Sequence, residues 1–173
     1  AVAATTAIGT TAARADGHGN FRDMTHSYDE TFPTFFGEPG ISTEQLFNWD
    51  EHNFNLLSLS VNEHTGTHID APLHFSKDGK SVDEIDVGNL FVPLCVIDIR
   101  EKAASDRDAQ VTPEDIEAWV SANGDIPDRA CVAMNSGWAD KVAGPEFRGA
   151  EGDTLHFPGF HVEAAQMLLE TTS

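Results

Sequence analysis

Hydrophobic and polar residues alternate along residues 54–61, where Leu57, Leu59 and Val61 are apolar and the residue after each is polar. A period of two predicts a β-strand. Residues 91–99 are mostly apolar and are flanked by polar residues, a pattern typical of a strand buried on both faces. The first of these strands leads directly into a stretch that is unusually rich in histidine.

A helix is predicted between residues 112 and 123. Thr112 is a suitable N-cap, Pro113 suits the first helical position, and acidic residues follow in the first turn. Apolar side chains then line one face until Gly124 ends the helix. Residues 129–135 predict the next strand. Strand, helix and strand in this order form a βαβ unit, which favours parallel pairing.

Two further elements complete the predicted fold. Residues 162–170 have the apolar spacing of a helix, and residues 22–25 predict a short strand before a loop rich in proline and glycine. This succession of strands and helices indicates an α/β protein.

The composition limits the classes of partner. A length of 173 residues suits one domain with a sizeable core. Ten basic residues against 29 acidic ones give a formal net charge of -19. Such a surface repels nucleic acid and anionic membranes, so neither is an expected partner, whereas it attracts metal cations.

Both cysteines, Cys95 and Cys131, lie in apolar runs. We expect two buried thiols on strands, where cysteine behaves as a small hydrophobic side chain. A disulfide between neighbouring strands is the alternative if the protein is exported.

Residues 1–20 differ in composition from the rest of the chain. Alanine and threonine dominate, and no charge occurs before Arg14. Ala13 and Ala15 fit the small-residue pattern of a signal-peptide cleavage site. We therefore expect the remnant of an export signal and a periplasmic or secreted protein. The alternative is a disordered tail on a cytoplasmic protein.

The candidate chemistry is concentrated in residues 64–75, which contain His64, His68, Asp70 and His74. Neutral imidazole and ionised carboxylate are side chains that Zn²⁺ or Mn²⁺ accepts as ligands. The spacing predicts a divalent metal site with His64, His68 and Asp70 as ligands and His74 beside it. The alternative is a polar loop in which these histidines only satisfy backbone groups.

Two residues within this stretch shape its backbone. Gly66 allows a tight turn that brings His64 and His68 towards one point. Pro72 fixes a bend and argues against a continuous helix. Neither residue contributes a ligand atom from its side chain, so both are expected to act through geometry.

The pattern His-x-Gly-Thr-His-x-Asp-x-Pro-x-His-Phe resembles the motif of the metal-dependent cyclase-like hydrolases, the family of kynurenine formamidase and isatin hydrolase. Further matches occur at residues 23–26, 135–138 and 157–160, so that the resemblance covers roughly residues 21–170. It implies a swivelling β/β/α fold with a mixed sheet and flanking helices. It also implies a homo-oligomer.

The resemblance also implies a reaction, the hydrolysis of a C–N amide bond in a formamide or a small cyclic amide by a metal-activated water. On this hypothesis His74 is the general acid and base. The resemblance implies that the irregular loop in residues 21–40, after the predicted strand, lies near the active site, so His26, Phe35 and Phe36 are candidate substrate-binding residues. Alternatively, His26 is an ordinary hydrogen-bonded histidine and the two phenylalanines belong to the core.

Other functions remain open at this point. The chain can be a binding protein that retains the ion without turnover, or a protein in which the ion is structural. His156 and His161 are expected at the surface or as helix caps. No Gly-x-Ser-x-Gly elbow and no phosphate-binding glycine loop occurs in the sequence.

In the resembled family the sheet continues beyond the helix at residues 162–170, and a later histidine and acidic residue complete the metal site. The sequence has no counterpart of these residues. We therefore expect residues 21–173 to be a cyclase-like domain whose C-terminal part is missing, either a fragment or one part of a split enzyme.

Overall fold

The computed structural model describes residues 23–171. The expected export-signal remnant or tail at residues 1–20 lies outside this range. The strand predicted at residues 22–25 is wrong for its described part, since residues 23–25 have no regular structure. The Thr25 N–H instead donates to Asp23 Oδ1 at 3.0 Å, a local bond that competes with strand pairing.

Twelve helices and strands make up the regular structure of residues 23–171. The strands are β1 (Ile41–Phe47), β2 (Leu56–Val61), β3 (Leu94–Asp98), β4 (Gln110–Val111), β5 (Cys131–Asn135), β6 (Ala150–Glu151), β7 (Thr154–Leu155) and β8 (Gly159–Phe160). The helices are α1 (Trp49–His52), α2 (Arg100–Ser105), α3 (Pro113–Asn123) and α4 (Val162–Thr171). Short 3₁₀ turns connect several of them.

The strands pair in both directions. β1 and β2 form an antiparallel hairpin, and β6 pairs antiparallel with β7. β3 and β5 are parallel, as are β4 and β8. Mixed pairing with helices between the parallel strands confirms the α/β class. No helix within the described range has the length and apolarity needed to cross a membrane.

The predicted βαβ unit is confirmed. β3 and β5 pair from Leu94 opposite Cys131 to Asp98 opposite Asn135, and α3 lies between them in the chain. Helix α3 begins as predicted, because Thr112 and Asp115 form a reciprocal capping box at its N-terminus. It also ends as predicted, at Gly124.

Two predictions about burial are wrong. Cys95 and Ile97 of β3 are buried, but Leu94 and Val96 on the other face are 40% and 42% exposed. The second face of the strand is therefore only partly covered by the described residues. Cys131 is exposed rather than buried, and both cysteines are free.

The buried core lies around the βαβ unit. Val111 of β4 and Ile116 of α3 are almost completely inaccessible to solvent. They belong to a cluster formed by Ile97, Ile99, Ala103, Ala109, Val111, Ile116 and Ala164. The β1–β2 hairpin contributes no side chain to this cluster. The histidine-rich stretch follows β2 and therefore lies outside the core.

Candidate metal centre

The end of the hairpin fixes the start of the histidine stretch. The Asn62 N–H donates to Gly40 O at 2.7 Å, and the Asn62 side chain accepts from the His64 N–H at 2.9 Å. Thr65 is 5% exposed, and its hydroxyl donates to Gly40 O at 3.1 Å. These bonds tie the backbone on both sides of His64 to Gly40, the residue that precedes β1.

Gly66 makes the turn that follows. Its φ is +72°, in the left-handed region that residues with a Cβ rarely adopt. A Cβ at this position would lie 2.5 Å from Tyr28 Cδ1, which is closer than carbon atoms approach without displacement. Both conditions call for glycine, and the resulting turn places His68 opposite His64.

The three predicted ligand side chains meet at one point. His64 Nδ1 lies 3.0 Å from Asp70 Oδ1, and His68 Nε2 lies 3.4 Å from the same oxygen. The two ring nitrogens are 3.4 Å apart. A tetrahedral ion with bonds of about 2.0–2.1 Å separates its donor atoms by about 3.3 Å. The donor atoms and their separations therefore fit a divalent ion such as Zn²⁺.

The tautomer of His68 supports this fit. His68 Nδ1 lies 2.9 Å from Gly66 O, and a carbonyl oxygen only accepts hydrogen bonds. Nδ1 is therefore the donor, and in the neutral tautomer that this bond selects the lone pair of Nε2 points towards His64 and Asp70. A backbone carbonyl that holds a ring nitrogen in this way is a common support of metal-binding histidines.

His74 lies beside these three residues. It ends a 3₁₀ turn, Pro72–His74, and its ring centroid is 4.3 Å from that of His64. Glu63, His64 and His74 form a second group whose possible ligand atoms lie within 4.8 Å of one another. His64 is thus shared by two groups of metal-binding side chains, with Asp70 and His68 in one and His74 in the other.

A cavity of about 620 Å³ opens over the centre. It contains six of the seven predicted site residues, and its lining consists of His26, Phe32, Pro33, Thr34, Phe35, Phe36, His64, Gly66, Thr67, His68, His74, Phe75 and Phe147. Asp70, the seventh, lies instead in an adjoining cavity of about 360 Å³ with Glu63. The structure therefore brings all the predicted residues to one region.

The loop that carries the aromatic residues is attached to the histidine stretch. The His26 N–H donates to Thr67 Oγ1 at 2.9 Å, so the main chain of His26 is fixed beside the centre. The rings of Phe35 and Phe36 are T-shaped with centroids 5.2 Å apart. Both rings are more than half exposed and belong to the cavity lining instead of the core.

Some contributors were missed by the sequence reasoning. Tyr28 packs against Gly66, and Phe147 lies in the cavity lining and contacts Phe32 at a centroid distance of 6.4 Å. Neither residue carries a local signal, because each is defined by a partner far away in the chain. His156 and His161 lie elsewhere, as expected, with His156 bonded to Asp108 and His161 accepting the Glu163 N–H of α4.

The chain has relatives among known proteins. A family model described as "Putative cyclase" matches residues 22–172. Isatin hydrolase from Roseibium aggregatum is 38% identical over 117 residues, which cover 64% of this chain and 44% of the relative. Kynurenine formamidase from Salinibacter ruber is 33% identical over 112 residues, which cover 63% of this chain and 48% of the relative.

The fold is similar to solved structures as well. Isatin hydrolase A from Labrenzia aggregata superposes with a TM-score of 0.77 and 34% identity, over 86% of this chain and 62% of that one. An isatin hydrolase bound to the product analogue thioisatinate also gives a TM-score of 0.77, with 27% identity. The chain spans about half the length of the curated relatives it matches. Because the family model covers nearly all of its length, the chain belongs to the cyclase family.

Proposed function

We propose that this chain carries the metal centre of a hydrolase that cleaves the C–N amide bond of a formamide or a small cyclic amide. One observation carries the proposal: His64, His68 and Asp70 converge at separations of 3.0–3.4 Å beside an aromatic-lined cavity. The names of the relatives supply the substrate class, since isatin is a cyclic amide and formylkynurenine a formamide.

His64, His68 and Asp70 hold a divalent ion, Zn²⁺ or Mn²⁺, in this proposal. When bound, such an ion would polarise a carbonyl group and lower the pKa of a bound water from its very high ordinary value to about 7. The bond from His68 Nδ1 to the Gly66 carbonyl orients the ring so that Nε2 faces the centre. The side chains of His64 and His68 are 23% and 32% exposed, which leaves the centre open towards solvent and substrate.

His74 moves the protons. Imidazole takes up and releases a proton near neutral pH, and the His74 ring lies 4.3 Å from that of His64 on the cavity wall. In this proposal it takes a proton from the attacking water and delivers one to the leaving nitrogen.

The rings of Phe35 and Phe36 form the wall against which an aromatic substrate packs. His26 occupies the same lining, with its main chain fixed by Thr67. A flat substrate ring between this wall and the histidines brings its amide bond next to the centre.

The decisive experiment measures metal content and turnover on the same preparations. We expect about one Zn²⁺ or Mn²⁺ per chain by elemental analysis, lost in His68→Ala, together with hydrolysis of isatin or N-formylkynurenine. His161→Ala is the matched control, because His161 caps α4 and lines neither cavity at the centre. It should retain the ion.

Each result has one interpretation. Failure of the wild-type chain to retain an ion contradicts the metal centre. Retention of the ion without turnover of either compound contradicts the hydrolase and leaves a metal-retaining binding protein.

We also propose that the chain forms a homo-oligomer. Leu57, Leu59 and Val61 share one face of β2 and are 50%, 61% and 55% exposed. A contiguous apolar strip of this kind is typical of an interface. Light scattering coupled to gel filtration measures the mass directly, and a monomer at micromolar concentration contradicts this proposal.

A further inference from the structure

Arg148 uses its guanidinium in an unusual way for a chain with 29 acidic residues. It forms no ion pair with any carboxylate of the described residues. Instead, its Nε donates to Phe35 O at 2.9 Å and its Nη2 lies 3.5 Å from Phe36 O. These partners lie 113 and 112 positions away in the sequence. The contact therefore joins two distant segments at the aromatic wall.

The segment that carries Arg148 is held firmly. The Trp138 indole N–H donates to Phe147 O at 2.7 Å, immediately before Arg148. Immediately after it, Gly149 O accepts from the Arg107 guanidinium and from the His156 N–H, each at 2.9 Å. The Arg148 backbone is thus fixed on both sides by hydrogen bonds to other segments, one of them 42 positions away.

The loop at the other end of the contact is less supported. The Phe35 and Phe36 side chains are 58% and 61% exposed, so burial does not determine where they lie. Gly37 follows with φ +78°, and a Cβ there would lie 3.1 Å from Arg148 Cζ. The guanidinium therefore packs directly under the turn, and glycine leaves room for it.

The position of this loop determines the shape of the binding region. Phe35 lines the cavity of about 620 Å³ over the centre and a second cavity of about 420 Å³. Arg148 lines only the second of these two. A shift of the Phe35 backbone would therefore change both cavities, while Arg148 itself stays away from the centre.

We propose that Arg148 is a positioning residue that holds the Phe35–Phe36 wall in place and thereby sets the affinity for aromatic substrates. The proposal rests on the proposed function and adds the determinant of its substrate class. The planar guanidinium presents several donors in a fixed fork and reaches two carbonyl oxygens at once, whereas a lysine ammonium is a single point. Lysine should therefore replace Arg148 only in part.

The test uses the full zinc-loaded chain and four variants. Arg148→Met removes the donors at similar length, Arg148→Lys keeps the charge, and Gly37→Ala displaces the guanidinium from the other side. Arg129→Met is the control, since Arg129 lines neither of the two cavities. Steady-state kinetics measure kcat and KM for isatin and for succinimide, a cyclic amide without an aromatic ring, and KM reports the affinity. Hydrogen exchange by mass spectrometry measures the order of residues 30–40.

We expect Arg148→Met and Gly37→Ala to exchange faster over residues 30–40 and to bind isatin about three- to tenfold more weakly, the size of one aromatic contact. Succinimide affinity and zinc content should stay at the wild-type level, and Arg148→Lys should fall in between. Arg129→Met should match the wild type in every measurement.

Unchanged exchange over residues 30–40 in Arg148→Met overturns the proposal. So does an equal loss of affinity for isatin and succinimide, or a loss of zinc, because either result indicates a general structural role. If the wild-type chain hydrolyses neither compound, the proposed function fails, and the exchange measurement still decides whether Arg148 holds the wall.

Discussion

Substitution of Gly66 by alanine tests whether the turn between His64 and His68 creates the metal centre. A residue with a Cβ pays about 1–2 kcal/mol to adopt the left-handed conformation that Gly66 has at φ +72°. This strain arises only while the turn is formed, so it opposes metal binding directly. A strain of this size corresponds to a loss of about 5–30-fold in the affinity for zinc.

A second contribution comes from Tyr28. The new Cβ would lie 2.5 Å from Tyr28 Cδ1 and 2.7 Å from Cε1, so the ring must move. The ring now packs edge-on against Phe32 at a centroid distance of 6.0 Å. Loss of such an aromatic pair costs about 0.5–1.5 kcal/mol. Placing Gly66→Ala in a Tyr28→Ala background removes the contribution of the ring and leaves only the backbone strain. Gly66→Asn should bind zinc better than Gly66→Ala, because asparagine tolerates left-handed φ and partly relieves this strain.

The assay is a competition titration of Zn²⁺ between the chain and a chromophoric chelator. Gly152→Ala is the matched control, because Gly152 has φ +62° and nothing lies within 4 Å of a Cβ there. It should lower the free energy of unfolding by about 1 kcal/mol without changing zinc affinity. If Gly66→Ala binds zinc as tightly as the wild type, the turn does not assemble the centre and the reasoning is refuted.

Three further predictions concern the site and the stability of the fold. His74→Ala should retain zinc and lose about 10²–10⁴-fold in turnover, and unchanged turnover would exclude His74 from proton transfer. Ile116→Ala should lower the free energy of unfolding in urea by about 2–5 kcal/mol, because Ile116 is 1% exposed; a loss below 1 kcal/mol would mean that the core collapses around the deletion. Partial burial raises the pKa of Asp115, but hydrogen bonds from Lys102 and Thr112 outweigh it and hold the pKa below its ordinary value of 3.8. The stabilising contribution of Asp115 is therefore present above pH 3.8 and lost as the pH falls through its lower pKa in the folded state. Asp115→Asn should be less stable than the wild type at neutral pH, and the difference in unfolding free energy should shrink in acid.

The sequence predicted those elements whose signals are local. Thr112, Pro113 and Gly124 mark the ends of α3, and each acts on its own neighbours in the chain. The convergence of His64, His68 and Asp70 was also predictable, since they lie within seven residues and one glycine turn brings them together. Short-range rules were sufficient for both.

Features that depend on distant partners were not predictable. β1 contains the polar run Ser42–Gln45 and has no apolar alternation; it is a strand because β2 pairs with it. Cys131 lies in an apolar run, yet it is exposed because the described residues leave that face of β5 uncovered. Arg148 reaches the aromatic wall across more than a hundred positions, which no local pattern records.

The separation of the histidine stretch from the buried core has a thermodynamic consequence. Thr65 is the one buried residue of the stretch 64–75, whereas the buried apolar cluster lies between β3 and α4. Segments with few buried contacts open locally at a lower cost than the global unfolding free energy. An ion bound by His64, His68 and Asp70 would raise the free energy of local opening towards the global unfolding free energy. Its binding free energy adds to the folding of the segment that holds it. The chain would then have two levels of cooperativity: α3 and its neighbours unfold with the molecule as a whole, and residues 64–75 order and open with the occupancy of the ion.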